Sequence, residues 1–293
     1  MTTERKIQGI YRGAPFHMVG DGFRVSNYFP SGNNFQQRFS PFILMDYNAP
    51  FKFPPSPEVK GVGAHPHRGF ETVTIAYDGY IEHNDNHGNH GIIGPGDVQW
   101  MTAGSGLLHK EYHEREFSKR GGIFHMIQLW VNLPRASKMH PPKYQELLKS
   151  QMGRVELPDN GGTVRIIAGD YNGVNGPAQT FTPIHLFDIA FNEKGKADFS
   201  LPSAFNTAAV VLRGSAIINN TTTASEGDFI LFENTEGSIH IEGQTADTLV
   251  FVLSGEPIDE PIYQHGPFVM NTREEIMEAF QDFQSGKMGS MDF

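Results

Sequence analysis

Side chains able to ligate a metal gather at strand spacing in two short segments of this chain. The first reads Gly63-Ala-His65-Pro-His67-Arg-Gly-Phe-Glu71 and the second Gly104-Ser-Gly-Leu-Leu-His109-Lys-Glu111. In an extended backbone residues i and i+2 share a face. His65 and His67 therefore point the same way, Glu71 shares their parity, and His109 with Glu111 forms a second pair. If these strands line one barrel, imidazoles and carboxylates meet at one point. Neutral imidazole and carboxylate without thiolate suit Fe(II), Mn(II), Ni(II), Cu(II) or catalytic Zn(II). The stability order of first-row divalent ions cannot choose among them, because it always favours copper. Parity admits Glu71 and Glu111 alike as the carboxylate ligand. A lone His-x-His pair is a weak signal; joined to His-x-Glu and glycine turns, in a chain with no cysteine, it becomes a metal-site pattern.

The surrounding sequence is built to supply such strands. Apolar β-type runs recur at 72–77 (TVTIAY), 97–102 (DVQWMT), 124–131 (FHMIQLWV), 163–168 (TVRIIA), 208–212 (AAVVL), 228–232 (DFILF) and 248–253 (TLVFVL), separated by Gly, Pro, Asn and Asp. Many short strands with turns between them indicate a sandwich or barrel. Pro66 cannot donate to a ladder, which places the first histidine pair at an edge, a strand start or a bulge. Gly104 and Gly106 let the backbone bend ahead of His109. The stretch 138–151 (KMHPPKYQELLKSQ) is polar and contains two prolines, and it is expected as a crossover with at most a short helix. A helix is expected over 271–285: Asn271 with Glu274, or Thr272 with Glu275, makes a capping box, and Ile276, Ala279, Phe280 and Phe283 follow helical spacing. A weak internal repeat lays 71–79 on 206–214, each run ending in a glycine turn. Two copies of one β unit would account for the length of 293 residues.

Composition removes several function classes. With no cysteine there is no disulfide framework, thiolate nucleophile, iron–sulfur cluster or zinc knuckle. The net charge of −10 disfavours direct nucleic-acid binding. The first residues carry no apolar signal segment and no run is long enough to span a bilayer, so the expected setting is cytoplasmic, with no membrane partner.

The two ligand-bearing segments and their surroundings resemble the pirin family of the cupin superfamily. The resemblance is carried by His65-Pro-His67-Arg-Gly-Phe-Glu71-Thr, Pro95-Gly-Asp-Val-Gln-Trp100-Met-Thr-Ala-Gly104, Gly106-Leu-Leu-His109-Lys-Glu111, Gln128-Leu-Trp130-Val-Asn-Leu133 and Gly266-Pro-Phe-Val-Met-Asn271-Thr. It is dense in the first half and diffuse between about 150 and 255. It implies an all-β fold of two tandem cupin barrels (double-stranded β-helix, or jelly-roll) with a C-terminal helix. The expected domains are an N-terminal metal-binding barrel over 1–140 and a C-terminal barrel over 141–293 that lacks the ligand set and ends in the 271–285 helix. One mononuclear metal is implied, usually Fe(II), with Mn, Ni, Cu or Zn possible in the same site. Carried over residue by residue, the ligands are His65, His67, His109 and Glu111, and Glu111 is also placed to act as general base. In many cupins the glutamate at the position of Glu71 binds the metal; here the resemblance makes Glu71 a buried group hydrogen-bonding around the ligands. His125 is assigned either that supporting role or a place in the core.

Some pirin-like proteins are quercetin 2,3-dioxygenases (flavonol 2,4-dioxygenases), which open the central ring of quercetin with O2 and release carbon monoxide. The resemblance thus implies a flavonol-like aromatic substrate and O2. The alternative it offers is an iron-dependent redox sensor or regulatory protein acting through a protein partner, as described for eukaryotic pirin. Other residues have plainer expected roles. The His- and Asn-rich stretch 82–90 is expected as a solvated hairpin loop at most rimming the cavity, and His113 as an exposed strand end. Arg68 is expected as a structural hydrogen-bonder, and Trp100 and Trp130 as core. In the second half the His65 and His67 positions fall on Ser200 and Pro202, so His240 and Glu242 are expected as structural or surface residues.

Overall fold

The computed structural model describes residues 3–29 and 35–291. Its secondary structure is antiparallel β with short helices, as the turn-punctuated apolar runs require. The chain divides into two compact units, one made of residues 14–149 with 258–293, the other of residues up to 13 with 150–257.

The first unit carries the histidine segments. Its larger sheet has seven strands in the order Lys143–Leu147, Val98–Thr102, Phe70–Asp78, Gly122–Asn132, Phe42–Phe53, Phe23–Asn27 and His17–Val19. Its smaller sheet has four, in the order Gly61–His67, Leu107–His113, Ile81–Asp85 and His90–Ile93. The second unit repeats this plan, with seven strands including Asn206–Arg213 and Asp228–Phe232 and four including Lys196–Phe199 and Ile239–Gly243. The 71–79 and 206–214 segments occupy equivalent central strands, which accounts for the internal repeat. The second barrel is filled by its own apolar side chains, among them Phe187, Phe199, Ile239 and Ile241.

Three expectations are corrected. The division is not a cut at 140, because strand pairing overrides chain order. Ile7–Arg12 pairs with Asp228–Phe232 and so completes the second unit's sheet. The C-terminal helix, Arg273–Gln284, packs Ile276 and Ala279 with Leu108, Phe268, Met270 and Met288 in the first unit. Its N-terminus is closed by the Thr272–Glu275 capping box, one of the two frames expected. The third correction is in the crossover: Lys143–Leu147 forms an edge strand on Val98–Thr102, where alternating Lys-Tyr-Gln-Glu-Leu sits outside the prolines. Among the described residues no helix is long and apolar enough to cross a membrane.

Candidate metal centre

The smaller sheet of the first unit assembles the site by register. His109 is the cross-strand partner of His65 on one side and of Asp85 on the other; Glu111 is the partner of His83. Residues directly paired in an antiparallel sheet share a face, so all five side chains lie on one side. The His65–His67 strand is the edge of this sheet, where Pro66 costs no ladder bond. The register also shifts between His109 and Glu111, a bulge that re-aims the strand beside the site.

His65, His67 and His109 converge. Their ring centroids are 4.8, 4.3 and 4.9 Å apart for the pairs 65–67, 65–109 and 67–109. One candidate ligand atom from each lies within 4.8 Å of the others. His65 Nδ1 meets the Gly63 carbonyl at 2.8 Å and His67 Nδ1 the Pro267 carbonyl at 3.4 Å. A carbonyl only accepts, so Nδ1 carries the proton in both rings and Nε2 is left as a lone-pair donor. Neither nitrogen of His109 has a hydrogen-bond partner although the residue is 1% exposed. Burial lowers the pKa of all three, and the neighbouring imidazoles lower those of His67 and His109 further. Neutral imidazole is the ligating form. Three nitrogen donors with an orphaned buried ring therefore fit a borderline divalent cation.

Glu111 lies outside this compact trio. Its carboxyl reaches the Thr74 hydroxyl of the larger sheet, and burial raises its pKa to about 7 against that bond. Thr74 Oγ1 also lies 2.7 Å from Gln128 Oε1. Gln128 pairs in turn with Asp46, and Trp130 with Leu44. These four are half-buried, whereas Met45, Tyr47, Ile127 and Leu129, which alternate with them, are fully buried. The side of the sheet that faces Glu111 is therefore hollow towards Gln128, Asp46, Trp130 and Leu44, while Thr72, Thr74, Gln99 and Met101 on the same side are buried; the reverse side is packed throughout. Trp130 is only half-buried: it packs on the Ile43, Phe70 and Val269 cluster, and its ring also stands 5.2 Å from that of His67 at 72°, while Trp100 is 0% exposed, as expected.

Glu71 is on the reverse side. It pairs with Thr102, and its Oε1 accepts from Thr102 Oγ1 at 2.7 Å. It is buried and hydrogen-bonded as expected, but not around the ligands, a placement that rested on parity continuing from His67. Parity breaks because the chain passes from one sheet to the other through Arg68-Gly69. Gly69 has φ of 87°, and a Cβ there would lie 2.0 Å from the Val269 carbonyl oxygen. Burial raises the Glu71 pKa to about 7, with Thr102, Trp100 and Lys143 opposing. His125 is also displaced from its supporting role: its ring stacks on Tyr77 at 4.7 Å, meets Tyr47 edge-on and lies 3.7 Å from the Asp78 carboxylate.

The 82–90 stretch is only partly a loop. His83 and Asp85 lie in a strand and are 5% and 6% exposed on the ligand-bearing face. Their alternation with Glu82 and Asn84 was the available signal. His113 is buried among Phe23, Phe53, Phe117 and Phe124 rather than exposed. Arg68 is structural, donating to the Ser105 carbonyl and pairing with Asp282. In the second unit His240 bonds Asp198 at 2.6 Å and Glu242 pairs with Lys196, both alternating with the inward Ile239 and Ile241.

Comparison with known proteins agrees with this geometry. The family model described as Pirin matches residues 22–131, and that described as the Pirin C-terminal cupin domain matches 186–289. A Pseudomonas aeruginosa protein provisionally named as a quercetin 2,3-dioxygenase is 48% identical over 97% of this chain and 98% of its own length. A pirin-like protein of Caulobacter vibrioides is 37% identical over 97% of this chain and 99% of its own. A crystal structure of quercetin 2,3-dioxygenase from Acinetobacter baumannii superposes with a TM-score of 0.94 at 45% identity, covering 99% of this chain and all of that one. The register that joins the histidine strands and the two matched family models lead to one conclusion: the chain belongs to the pirin family, within the cupin fold.

Proposed function

We propose that this protein is a mononuclear-metal dioxygenase that opens the central ring of a flavonol such as quercetin with O2 and releases carbon monoxide. The observation that carries the reading is a trio of neutral imidazoles, two of them fixed in one tautomer, beside a buried carboxyl on the same face of the sheet. Its kinship with the Acinetobacter dioxygenase supplies the substrate class. His65, His67 and His109 would hold the cation through nitrogen, with Glu111 as the proposed fourth ligand. Fe(II) is the proposed resident; Mn, Ni, Cu or Zn would suit the same donors. A bound divalent cation supplies positive charge that stabilises a deprotonated hydroxyl oxygen.

The chain's own part is proton transfer and orientation. Glu111 accepts the proton of the flavonol 3-hydroxyl at a carboxylate oxygen, and a pKa near neutrality suits a group that must take up and return a proton. The Thr74 hydroxyl restrains that carboxyl. Trp130 and Leu44 offer apolar surface to a flat aromatic ring on the hollow side of the sheet.

Anaerobic loading with Fe(II), followed by quercetin and O2, tests the reading. Metal-dependent loss of flavonol absorbance with release of carbon monoxide is the expected result. A fully loaded protein that turns over no flavonol would refute it and shift weight to regulation through a protein partner.

A further inference from the structure

Three polar atoms on the hollow side have no hydrogen-bond partner and are not explained by a cation on the histidine trio. They are His83 Nδ1, Gln99 Nε2 and the Tyr144 hydroxyl. His83 and Gln99 are 5% and 3% exposed. Buried polar groups are almost always paired, so orphans of this kind point to something that binds there.

The three come from three strands, and register brings them to Glu111. His83 is the cross-strand partner of Glu111. Gln99 is the partner of Thr74, whose hydroxyl reaches the Glu111 carboxyl. Tyr144 pairs with Met101, two residues beyond Gln99 and so on the same face. The rings of His83 and Tyr144 stack nearly parallel, 7° apart with centroids at 5.7 Å. Gly91 makes room for this stack, since a Cβ there would lie 2.7 Å from His83 Nε2.

The hydrogen-bond inventory narrows the ligand. Gln99 Nε2 can only donate, and the Tyr144 phenol, buried and close to the carboxylates of Asp85 and Glu111, keeps its proton and donates too. Asp85 already accepts from the backbone of His87 and Asn89 and from the Asn89 side chain. The Tyr144 hydroxyl faces Asp85 without a hydrogen bond of good geometry, so it and Gln99 Nε2 can both turn to an acceptor oxygen. Two nearby carboxylates disfavour an anionic one, and among neutral acceptors a carbonyl oxygen, with two lone pairs and no proton of its own to place, suits two donors best.

We propose that Tyr144 and Gln99, with His83 bracing the tyrosine ring, bind a neutral carbonyl oxygen adjacent to the hydroxyl that faces Glu111, so that the site selects hydroxy ketones over plain phenols. The proposal deepens the dioxygenase reading and rests on it for the substrate class. Tyr144 and Gln99 are positioning and specificity residues; neither takes the proton.

The test uses Fe(II)-loaded full-length protein without O2, as wild type, Tyr144→Phe and Gln99→Met. Each is titrated with quercetin, with maltol (a small ring bearing adjacent hydroxyl and carbonyl groups) and with catechol, which bears hydroxyls only. Metal content and thermal midpoint are measured before and after. Each variant is expected to bind quercetin and maltol about tenfold more weakly and catechol within about twofold of wild type. With O2 present, KM rises while kcat stays within about threefold. Unchanged affinity for quercetin and maltol overturns the proposal, as does an equal loss for catechol, which would mark general damage. If Tyr144→Phe does not fold, Gln99→Met carries the same thresholds. Selective maltol binding that depends on these residues, with no flavonol turned over, sinks the dioxygenase reading and leaves this one standing. A wild type that binds neither hydroxy ketone sinks both.

Discussion

His65 and His67 each commit Nδ1 to a backbone carbonyl, and this decides which nitrogen remains for a cation. His67→Ala should lower bound metal by more than about tenfold while the cooperative unfolding transition persists; metal analysis showing full stoichiometry would remove His67 from the ligand set. The two glutamates make a sharper contrast, because they share a raised pKa and differ in the face they occupy. Glu111→Gln should cut kcat/KM by about 10²-fold or more. Glu71→Gln keeps an acceptor for Thr102 and should stay within about tenfold of wild type. The reverse order in steady-state kinetics would exchange their roles. Gly91→Ala should destabilise the protein by ~1–3 kcal/mol in denaturant titration, since the new methyl would collide with the His83 ring.

Among elements, the segment after 258 acts on the metal-bearing unit through a few buried contacts. Lys138, 2% exposed, donates from Nζ to the carbonyls of Gly69 and Val269 and to Asn132 Oδ1 at 2.7–2.9 Å. It thereby joins the turn after His67 to the Phe268–Met270 strand. Arg68 extends the tie to the helix through Asp282, with side chains 5% and 11% exposed. Lys138→Met keeps the apolar stem and removes every donor, leaving three oxygens stranded. A loss of ~3–5 kcal/mol is expected from urea unfolding, well beyond what an exposed lysine would cost.

Over the whole molecule the chain enters each compact unit twice, so neither unit is a contiguous stretch of sequence. A fragment ending at 140 lacks the Lys143–Leu147 edge strand as well as the Phe268–Met270 strand and the Arg273–Gln284 helix. It would expose Leu108 and Phe70, which those segments cover. Residues 14–140 expressed alone are therefore expected to aggregate or to lack a cooperative thermal transition. A fragment that unfolds cooperatively and binds metal at full stoichiometry would contradict this.

What the sequence determined by itself is local. Alternation placed His65 with His67 and His109 with Glu111, Pro66 marked an edge, and Thr272 with Glu275 capped a helix, because strand period and capping chemistry act within a few residues. The motifs of the first half also carried the family. Only the tertiary structure decided which side of the barrel each later residue faces. The positive-φ turn at Gly69 moves the chain between sheets and sends Glu71 to the reverse side. It also took the fold to bring His83, Gln99, Tyr144 and Trp130 to the hollow and to move His125 away from it. The reason is that a side chain's neighbours across a sheet depend on hydrogen bonds between strands far apart in sequence, and no local spacing records which strand will lie alongside.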